Sequence, residues 1–325
     1  MAEAILVREY GGPEVLQADS VDVGEPGEGE LRLRQTFAGV NFHDVYVRSG
    51  LYRTLTPPGV PGIEAVGVVE QVGPGVEGWR PGDRVAYATR SYGCYASERL
   101  LPARIALKLP DAIDDRTAAA VLLKGLTVDM LVHRVHRIAP GQWVLVQAAA
   151  GGVGQLLAQW ATHLGARVIG TVGSPEKVEI ARAAGCSEVI LYREEDVAAR
   201  VAAITQGRGV DVAYDGVGRD SFAGSLGSLA MCAHLVNFGQ ASGPVPPVAM
   251  SELQARSTTL SRPVVFHYAA QREALQAMAQ SLFGALAGGW LKVEAPIEFP
   301  LADAAAAHAL LESRAATRGI VLRVE

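Results

Sequence analysis

Hydrophobic and polar positions follow two different patterns along the chain, and the pattern changes near residue 125. The first part contains short strand-like runs, which are AILV at 4–7, LRLRQTFAG at 31–39 and AVGVVEQVG at 65–73. Clusters of Gly and Pro separate these runs. Short strands bounded by turn residues are typical of a twisted antiparallel or barrel-like sheet. The pattern therefore predicts a β-rich domain in this part of the chain.

The second part alternates apolar runs with helix-like segments. It begins with WVLVQA at 143–148, an apolar run with the length of a buried parallel strand. Further strands are predicted at 166–173, 187–192, 210–218 and 233–239. Counting from the strand at 143–148, helices are predicted between the first four strands, at 151–165, 175–185 and 195–206. Strand–helix alternation of this kind predicts a doubly wound parallel sheet.

The closing part of the chain does not continue this repeat. It contains two alanine-rich helical segments and ends in a strand-like GIVLRV at 319–324. We expect it to return to the first domain. The predicted organisation is one discontinuous domain over 1–124 and 263–325, an inserted domain over 125–262, and a cleft between the two.

The strongest local motif is AAAGGVG at 148–154, which follows a predicted strand and opens a predicted helix. Against the pattern G-x-G-x-x-G it places Ala149, Gly151 and Gly154 at the three small positions. Small residues allow the backbone to approach a pyrophosphate, which binds at the helix N-terminus. A glycine-rich turn without a ligand is the alternative, but the strand–turn–helix context favours a dinucleotide site.

The end of the second strand of this domain indicates which dinucleotide is bound. The strand ends in TVGS and lacks the carboxylate that usually binds the ribose of NAD, although Glu176 lies close. Ser174 can donate to a phosphate, Lys177 supplies a cation, and Tyr192 and Arg193 can reach the same corner. Lys177 alone is equally consistent with an exposed helix lysine, but together these residues favour NADPH over NADH.

Composition narrows the class of protein. The 325 residues are 49% hydrophobic and 19% charged, with a formal net charge of −5, which argues against a nucleic-acid partner. No apolar stretch approaches the ~18 residues of a membrane helix, and no signal peptide is seen. Three distant cysteines, at 94, 186 and 232, form no metal-binding pair or disulfide framework. These observations predict a cytoplasmic protein.

The segment NFHDVYVRSGLY at 41–52 gathers polar and aromatic residues that suit a metal site, a proton relay or a polar wall. His43 and Asp44 are adjacent, and neighbours on one strand point to opposite faces, so they need not touch. We interpret His43 as a wall residue in preference to an acid–base group, and Asp44 as a local backbone anchor. The other histidines show no metal-ligand spacing and are expected to be structural or exposed.

Nine segments in order resemble the zinc-independent quinone oxidoreductases, the zeta-crystallin-like branch of the medium-chain dehydrogenase/reductase superfamily. They are GGPEVL at 11–16, NFHDVYVRSGLY at 41–52, GVVEQVGPGVEGWRPGDRV at 67–85, LLKGLT at 122–127, AAAGGVG at 148–154, YDGVGRD at 214–220, FGQASGPV at 238–245, RP at 262–263 and HALLESR at 308–314. The resemblance implies an α/β fold, with a GroES-like β-barrel catalytic domain and a Rossmann NADPH-binding domain. It also implies one- or two-electron reduction of a quinone, usually by a homodimer.

The chain departs from the zinc-dependent members of the superfamily at their metal ligands. Asn41 stands where those members carry a cysteine, and Ile63 stands where they carry a histidine. Their four-cysteine lobe is also absent. An amide and an aliphatic side chain are poor zinc ligands, so we expect no metal. His43 also departs from the family, which usually has an aliphatic residue there.

The resemblance assigns site residues motif by motif. Those implied near the nicotinamide half, its ribose and the pocket wall are Asn41, Phe42, His43, Tyr46, Thr127, Met130, Gly216, Val217, Phe238, Gly239, Gln240, Pro263, Val264 and Val265. Those implied at the pyrophosphate and the adenosine phosphate are Gly151, Gly152, Val153, Gly154, Gly173, Ser174, Lys177, Tyr192 and Arg314. Donors suited to the carbonyl oxygens of the acceptor are Asn41, Tyr46, Tyr52 and Lys124.

Three functions share this pattern. Quinone reduction by NADPH is favoured by the resemblance. Reduction of an activated carbon–carbon double bond, in an alkenal or an enoyl compound, uses the same scaffold. The third is a crystallin-like protein that binds NADPH and has a structural or RNA-binding role, and the acidic balance of the chain counts against RNA.

Overall fold

The computed structural model describes residues 1–324, and the chain divides into two compact units. The first unit comprises Met1–Leu123, Ala269–Ala287 and the chain from Val293 onward. The second comprises Lys124–Tyr268 and Gly288–Lys292. The chain thus returns to the first unit at Ala269, later than the predicted 263, and goes back briefly to the second.

The elements before the first division alternate short strands with two helices. They are β1 (Ala2–Val7), β2 (Leu16–Val21), β3 (Glu30–Val40), α1 (Phe42–Arg48), β4 (Glu64–Val72), β5 (Arg84–Ala88), β6 (Glu98–Pro102), β7 (Leu107–Lys108) and α2 (Asp115–Met130). The division at residues 123 and 124 falls within α2, which is followed by a π-helical turn over Leu131–Val135.

The second unit repeats strand and helix in the predicted order. Its elements are β8 (Trp143–Val146), α3 (Gly152–His163), β9 (Arg167–Val172), α4 (Val178–Ala183), β10 (Glu188–Leu191), α5 (Val197–Ile204), β11 (Val210–Asp215), α6 (Phe222–Gly227), β12 (Leu229–Asn237), α7 (Met250–Gln254), β13 (Thr259–Ser261) and α8 (Val265–Tyr268). The remaining elements, in the first unit, are α9 (Arg272–Ala287), β14 (Ile297–Pro300), α10 (Ala304–Glu312) and β15 (Ile320–Arg323).

The first unit is built on a mixed sheet. Its strands follow the order β14-β15-β3-β4-β5-β7, with β6 also paired to β3, and β1 pairs with β2 separately. All of these pairs are antiparallel except β14 with β15. The strand that closes the chain, β15, lies beside β3, so the C-terminal segment completes the sheet that the N-terminal segment begins.

The second unit contains a six-stranded parallel sheet with the order β10-β9-β8-β11-β12-β13. Successive strands are added toward one edge from β8 to β10 and toward the other edge from β11 to β13, so the strand order switches between β8 and β11. Ligands of such sheets bind at the carboxyl ends of the strands at this switch point. The apolar strand residues are buried because helices cover them, and Leu145, Ile169 and Leu235 have no exposed surface. The predicted parallel sheet is therefore confirmed, and its edge strand β13 is one that the sequence pattern missed.

A five-residue excursion, Gly288–Lys292, ties the second unit to the far end of the chain. The Trp290 ring stacks on His163 at 3.9 Å and meets the Trp160 ring edge-on at 5.3 Å. Gln159 also donates to the Lys292 carbonyl and accepts from its amide, at 3.0 and 2.8 Å. The second unit is therefore not one continuous segment.

Among residues 1–324, no helix combines the length and the apolar character that crossing a bilayer requires.

Two glycines of the first unit should respond oppositely to alanine. A Cβ at Gly67 would lie 2.4 Å from the Arg34 carbonyl oxygen, whereas one at Gly284 in α9 meets nothing within 4 Å. We expect Gly67→Ala to cost about 2 kcal/mol or more and Gly284→Ala to add about 0.5–1 kcal/mol. Thermal unfolding of both variants checks this, and an equal or reversed effect on Tm would contradict the packing.

Candidate functional site

Asn41 links the end of β3 to the start of α1. Its backbone is extended, with φ −130° and ψ 154°, and its N–H donates to Asp44 Oδ2 at 2.9 Å. An acidic side chain at the third helical position suits the free amides of a helix start. Asp44 is thus a backbone anchor, as predicted. The strand assumed for His43 and Asp44 is wrong, because both residues lie in α1.

The Asn41 side chain is held by a buried carboxylate. Its Nδ2 donates to Glu64 Oε1 at 2.7 Å, and Glu64 Oε2 accepts from the Leu123 N–H at 2.7 Å. Glu64 has no exposed surface and Asn41 is 7% exposed. The carboxylate that follows Ile63 therefore receives amide hydrogens at both oxygens, which fixes the orientation of the Asn41 amide.

Aromatic rings cluster around α1. The centroid distances are 5.1 Å for Tyr46 and Tyr52, 5.7 Å for His43 and Tyr52, and 6.2 Å for Phe42 and Tyr46. The Tyr52 N–H donates to the Tyr46 carbonyl at 2.9 Å, which folds the chain after α1 back onto the helix. The structure thus brings together the predicted wall residues of the first unit, which are Phe42, His43, Tyr46 and Tyr52.

His43 packs against Tyr92, a residue that lies in none of the sequence motifs. The ring centroids are 6.1 Å apart, and His43 Nε2 lies 3.4 Å from the Tyr92 hydroxyl, which also bonds Thr54. Burial, and then the charge of Arg90, lower the pKa of His43 to about 4. A neutral imidazole among rings fits the wall that we predicted better than an acid–base group.

In the second unit, the glycine turn lies at the carboxyl end of β8. Gly151 precedes α3 in an extended conformation, and a Cβ at Gly154 would lie 2.2 Å from the Ala148 carbonyl oxygen. The absence of a side chain at Gly154 therefore allows α3 to start directly over the strand. The turn presents Gly152 and Val153 in the first turn of a 12-residue helix, where free amides favour an anion.

Three predicted residues lie on α2. A Cβ at Gly152 would lie 3.3 Å from the Lys124 side chain, so Lys124 reaches the glycine turn. Thr127, one turn later, is half-buried. Met130, which the resemblance places near the nicotinamide, is 1% exposed, so its side chain is buried.

The corner after β9 gathers Gly173, Ser174, Lys177 and Tyr192. A Cβ at Gly173 would lie 2.6 Å from the Tyr192 hydroxyl, so the ring covers the glycine. Ser174 Oγ donates to the Glu176 carboxylate at 2.5 Å, a contact that the sequence pattern does not predict. That bond, and then the charges of Lys177 and Arg193, lower the pKa of Glu176. The corner therefore contains one carboxylate, that of Glu176, beside the cations of Lys177 and Arg193.

The loops after β11 and β12 pack on each other. A Cβ at Gly239 would lie 2.5 Å from the Gly216 carbonyl oxygen, and one at Gly216 would lie 2.8 Å from the Phe238 ring. Buried Asp215 accepts from the amides of Val217 and Gly218 at 2.8 and 2.9 Å. The Gln240 Cα lies 2.9 Å from the position of a Gly218 Cβ. These predicted residues thus form one rigid double loop.

The last predicted residues fall in two places. Arg262 donates to the Gly239 carbonyl at 2.8 Å, which anchors Pro263, Val264 and Val265 beside the double loop at the start of α8. Arg314 is exposed in the first unit, directly after α10, with φ 59°.

The described residues hold no cluster of three His, Cys, Asp or Glu side chains that could bind a metal ion.

The comparisons with known proteins cover the whole chain. The family model for the alcohol dehydrogenase GroES-like domain matches residues 27–111, and the model for zinc-binding dehydrogenases matches residues 152–281. A quinone oxidoreductase of Pseudomonas aeruginosa is 45% identical over 99% of both chains. A 2-haloacrylate reductase of a Burkholderia species is 42% identical, again over 99% of both chains.

A solved structure gives the same likeness in three dimensions. The crystal structure of Escherichia coli quinone oxidoreductase in complex with NADPH aligns with a TM-score of 0.96 and 42% identity. The alignment covers 99% of this chain and all of that one. The first unit therefore has the predicted GroES-like fold and the second the predicted Rossmann-like fold.

The half-buried imidazole of His43 should make the fold sensitive to acid. An unfolded histidine takes up a proton near its ordinary pKa of 6.5, whereas folded His43 stays neutral until about pH 4. The unfolded state binds more protons in this window, so the free energy of unfolding falls as the pH falls. We expect His43→Phe to reduce that loss by about 1–3 kcal/mol in urea unfolding at pH 7 and pH 4.5.

The control for this comparison is His267→Asn, which removes an exposed histidine outside the aromatic wall. An identical pH dependence in His43→Phe and the wild type would contradict a His43 that stays neutral in the folded protein.

Proposed function

The chain belongs to the quinone oxidoreductase branch of the medium-chain dehydrogenase/reductase superfamily and is an oxidoreductase, and from this premise we propose that it reduces a quinone with NADPH. The observation that carries the proposal is a wall of aromatic rings around α1 beside the fixed amide of Asn41. Flat rings and a few aimed donors suit a flat acceptor that carries carbonyl oxygens.

The second unit fits NADPH at two places. The glycine turn and the start of α3 offer a close backbone approach and free amides to a pyrophosphate. The corner with Gly173, Lys177 and Tyr192 offers a cation and a ring to the adenosine phosphate end. When bound, NADPH supplies the hydride, so the protein needs to add position, dryness and charge complementarity.

Four side chains supply hydrogen bonds to the acceptor. The hydroxyls of Tyr46 and Tyr52, the amide of Asn41 and the ammonium of Lys124 donate to the carbonyl oxygens, where negative charge develops. His43 remains neutral and forms part of the wall. Glu64 holds the Asn41 amide in the place of a zinc ligand, so we propose a zinc-independent reaction.

The family resemblance also supports a cytoplasmic homodimer. The mass of the assembly can be measured by sedimentation.

A second candidate is reduction of the double bond in a 2-haloacrylate. The Burkholderia relative named for that reaction is 42% identical to this chain, against 45% for the Pseudomonas aeruginosa quinone oxidoreductase. A haloacrylate is a small anion without a flat ring system, so the aromatic wall around α1 favours the quinone.

The cofactor proposal predicts opposite effects at two neighbouring residues. Lys177→Ala should raise the KM for NADPH about tenfold or more and change the KM for NADH less than twofold, because one ion pair to the extra phosphate is lost. Glu176→Gln should lower the KM for NADPH, because it removes a nearby negative charge. Initial rates with both coenzymes check this.

Arg182→Ala is the matched control, since Arg182 is a nearby cation, on α4, that already pairs with Glu179 at 2.8 Å. It should leave both KM values unchanged. Equal effects of Lys177→Ala on NADPH and NADH would defeat the phosphate assignment.

The acceptor proposal predicts an order of turnover. The purified protein should oxidise NADPH at least tenfold faster, in kcat/KM, with 1,4-naphthoquinone than with 2-chloroacrylate or an alkenal, because donors and rings match the quinone. Preference for 2-chloroacrylate would establish the second candidate. Tight NADPH binding without turnover of any acceptor would overturn both and favour a binding protein.

A further inference from the structure

A chain of buried hydrogen bonds runs from the far end of α1 back to Asn41. Arg48 Nη1 lies 3.4 Å from His308 Nδ1, and His308 Nε2 lies 3.0 Å from the Tyr95 hydroxyl. The Tyr95 hydroxyl donates to Asp44 Oδ2 at 3.2 Å, and the same oxygen accepts from the Asn41 N–H at 2.9 Å. Every link lies within the first unit.

The donors in this series of hydrogen bonds all point the same way, from Arg48 toward Asp44. Arg48 has only donors, so His308 Nδ1 must accept, and the single proton of the neutral ring is then on Nε2. Nε2–H donates to the Tyr95 oxygen, which leaves the Tyr95 proton for Asp44. Burial, and then the charge of Arg48, lower the pKa of His308 to about 3, which keeps the ring neutral.

Arg48 is itself locked in place. Its guanidinium donates to both oxygens of Glu312 at 2.9 Å and to the Gly11 carbonyl at 3.2 Å. Bidentate pairs of this kind fix the plane of the guanidinium. The orientation of His308 is therefore set by an ion pair between the last residues of α1 and α10.

We propose that His308 and Tyr95 are positioning residues for Asn41, acting through the Asp44 carboxylate. The proposal rests on the function given above only in that Asn41 contacts the reacting molecules. Asp44 has no exposed surface, so its orientation depends on the groups that donate to it. When Tyr95 loses its hydroxyl or His308 its donor, Asp44 turns, and the backbone of Asn41 turns with it.

The first test needs no cofactor or turnover. In apoprotein labelled with ¹⁵N-histidine, the ring nitrogens of His308 should report the Nε2–H tautomer and should not titrate between pH 8 and pH 5. His308→Gln identifies the signal among seven histidines. An Nδ1–H tautomer, or protonation within that range, would overturn the proposal.

The second test compares two buried tyrosines of the same unit. Tyr95 and Tyr87 are both fully buried, and the Tyr87 hydroxyl donates to Gln35, outside the chain that leads to Asn41. In the apoprotein, Tyr95→Phe and His308→Leu should both shift the backbone amide signal of Asn41, and Tyr87→Phe should not. Absence of a shift in Tyr95→Phe would overturn the proposal.

Kinetics on the best acceptor of the wild type supply the third test. Tyr95→Phe and His308→Leu should each lower kcat about tenfold or more while the KM for NADPH stays within twofold, as misplacement of a contacting group predicts. The kcat of the double variant should be no lower than that of either single variant, because both residues act through the same series of hydrogen bonds. His308→Gln, whose amide keeps a donor and an acceptor, should recover most of the loss.

Tyr87→Phe should lower thermal stability as much as Tyr95→Phe but leave kcat unchanged. An equal loss of kcat in both would reduce the role of Tyr95 to fold stability and overturn the proposal. A wild type that reduces no quinone would defeat the proposed function alone, since the tautomer of His308 and the Asn41 signal are read without turnover.

Discussion

Two carboxylates that solvent does not reach, those of Asp44 and Glu64, organise the polar part of the first unit. A buried charge is costly unless hydrogen bonds replace its water. Asn41 supplies one donor to each carboxylate, its backbone N–H to Asp44 and its side-chain amide to Glu64. One residue is thus held from two directions, and the placement of the rings around α1 depends on it.

In the second unit, close backbone contacts shape the loops after the strands, together with the buried carboxylate of Asp215. The glycine turn works because Gly154 lacks the Cβ that would meet the Ala148 carbonyl, and Gly239 allows the same approach to Gly216. Since both contacts lie at the carboxyl ends of neighbouring strands, a nucleotide meets backbone amides before it meets side chains. The first unit therefore positions polar side chains, and the second unit exposes backbone amides.

The sequence predicted best what is local. The strands β8 to β12 were found because fully covered parallel strands are almost continuously apolar, whereas β13 has only three residues and left no pattern. The sequence predicts a strand in place of the short helix α1, because seven residues give too few turns for a helical period. His308 and Tyr95 lie 213 residues apart, and Ser174 donates to Glu176 through rotamer choice, so neither contact follows from a motif.

The excursion of Gly288–Lys292 bears on how such a protein can evolve. A gene segment for residues 124–268 carries the whole parallel sheet but not Trp290, which packs on Trp160, or Leu291, which is 2% exposed. Exchange of that segment between two relatives leaves a foreign surface against these two side chains. A segment exchange that keeps the packing of the second unit therefore has to include Gly288–Lys292 as well.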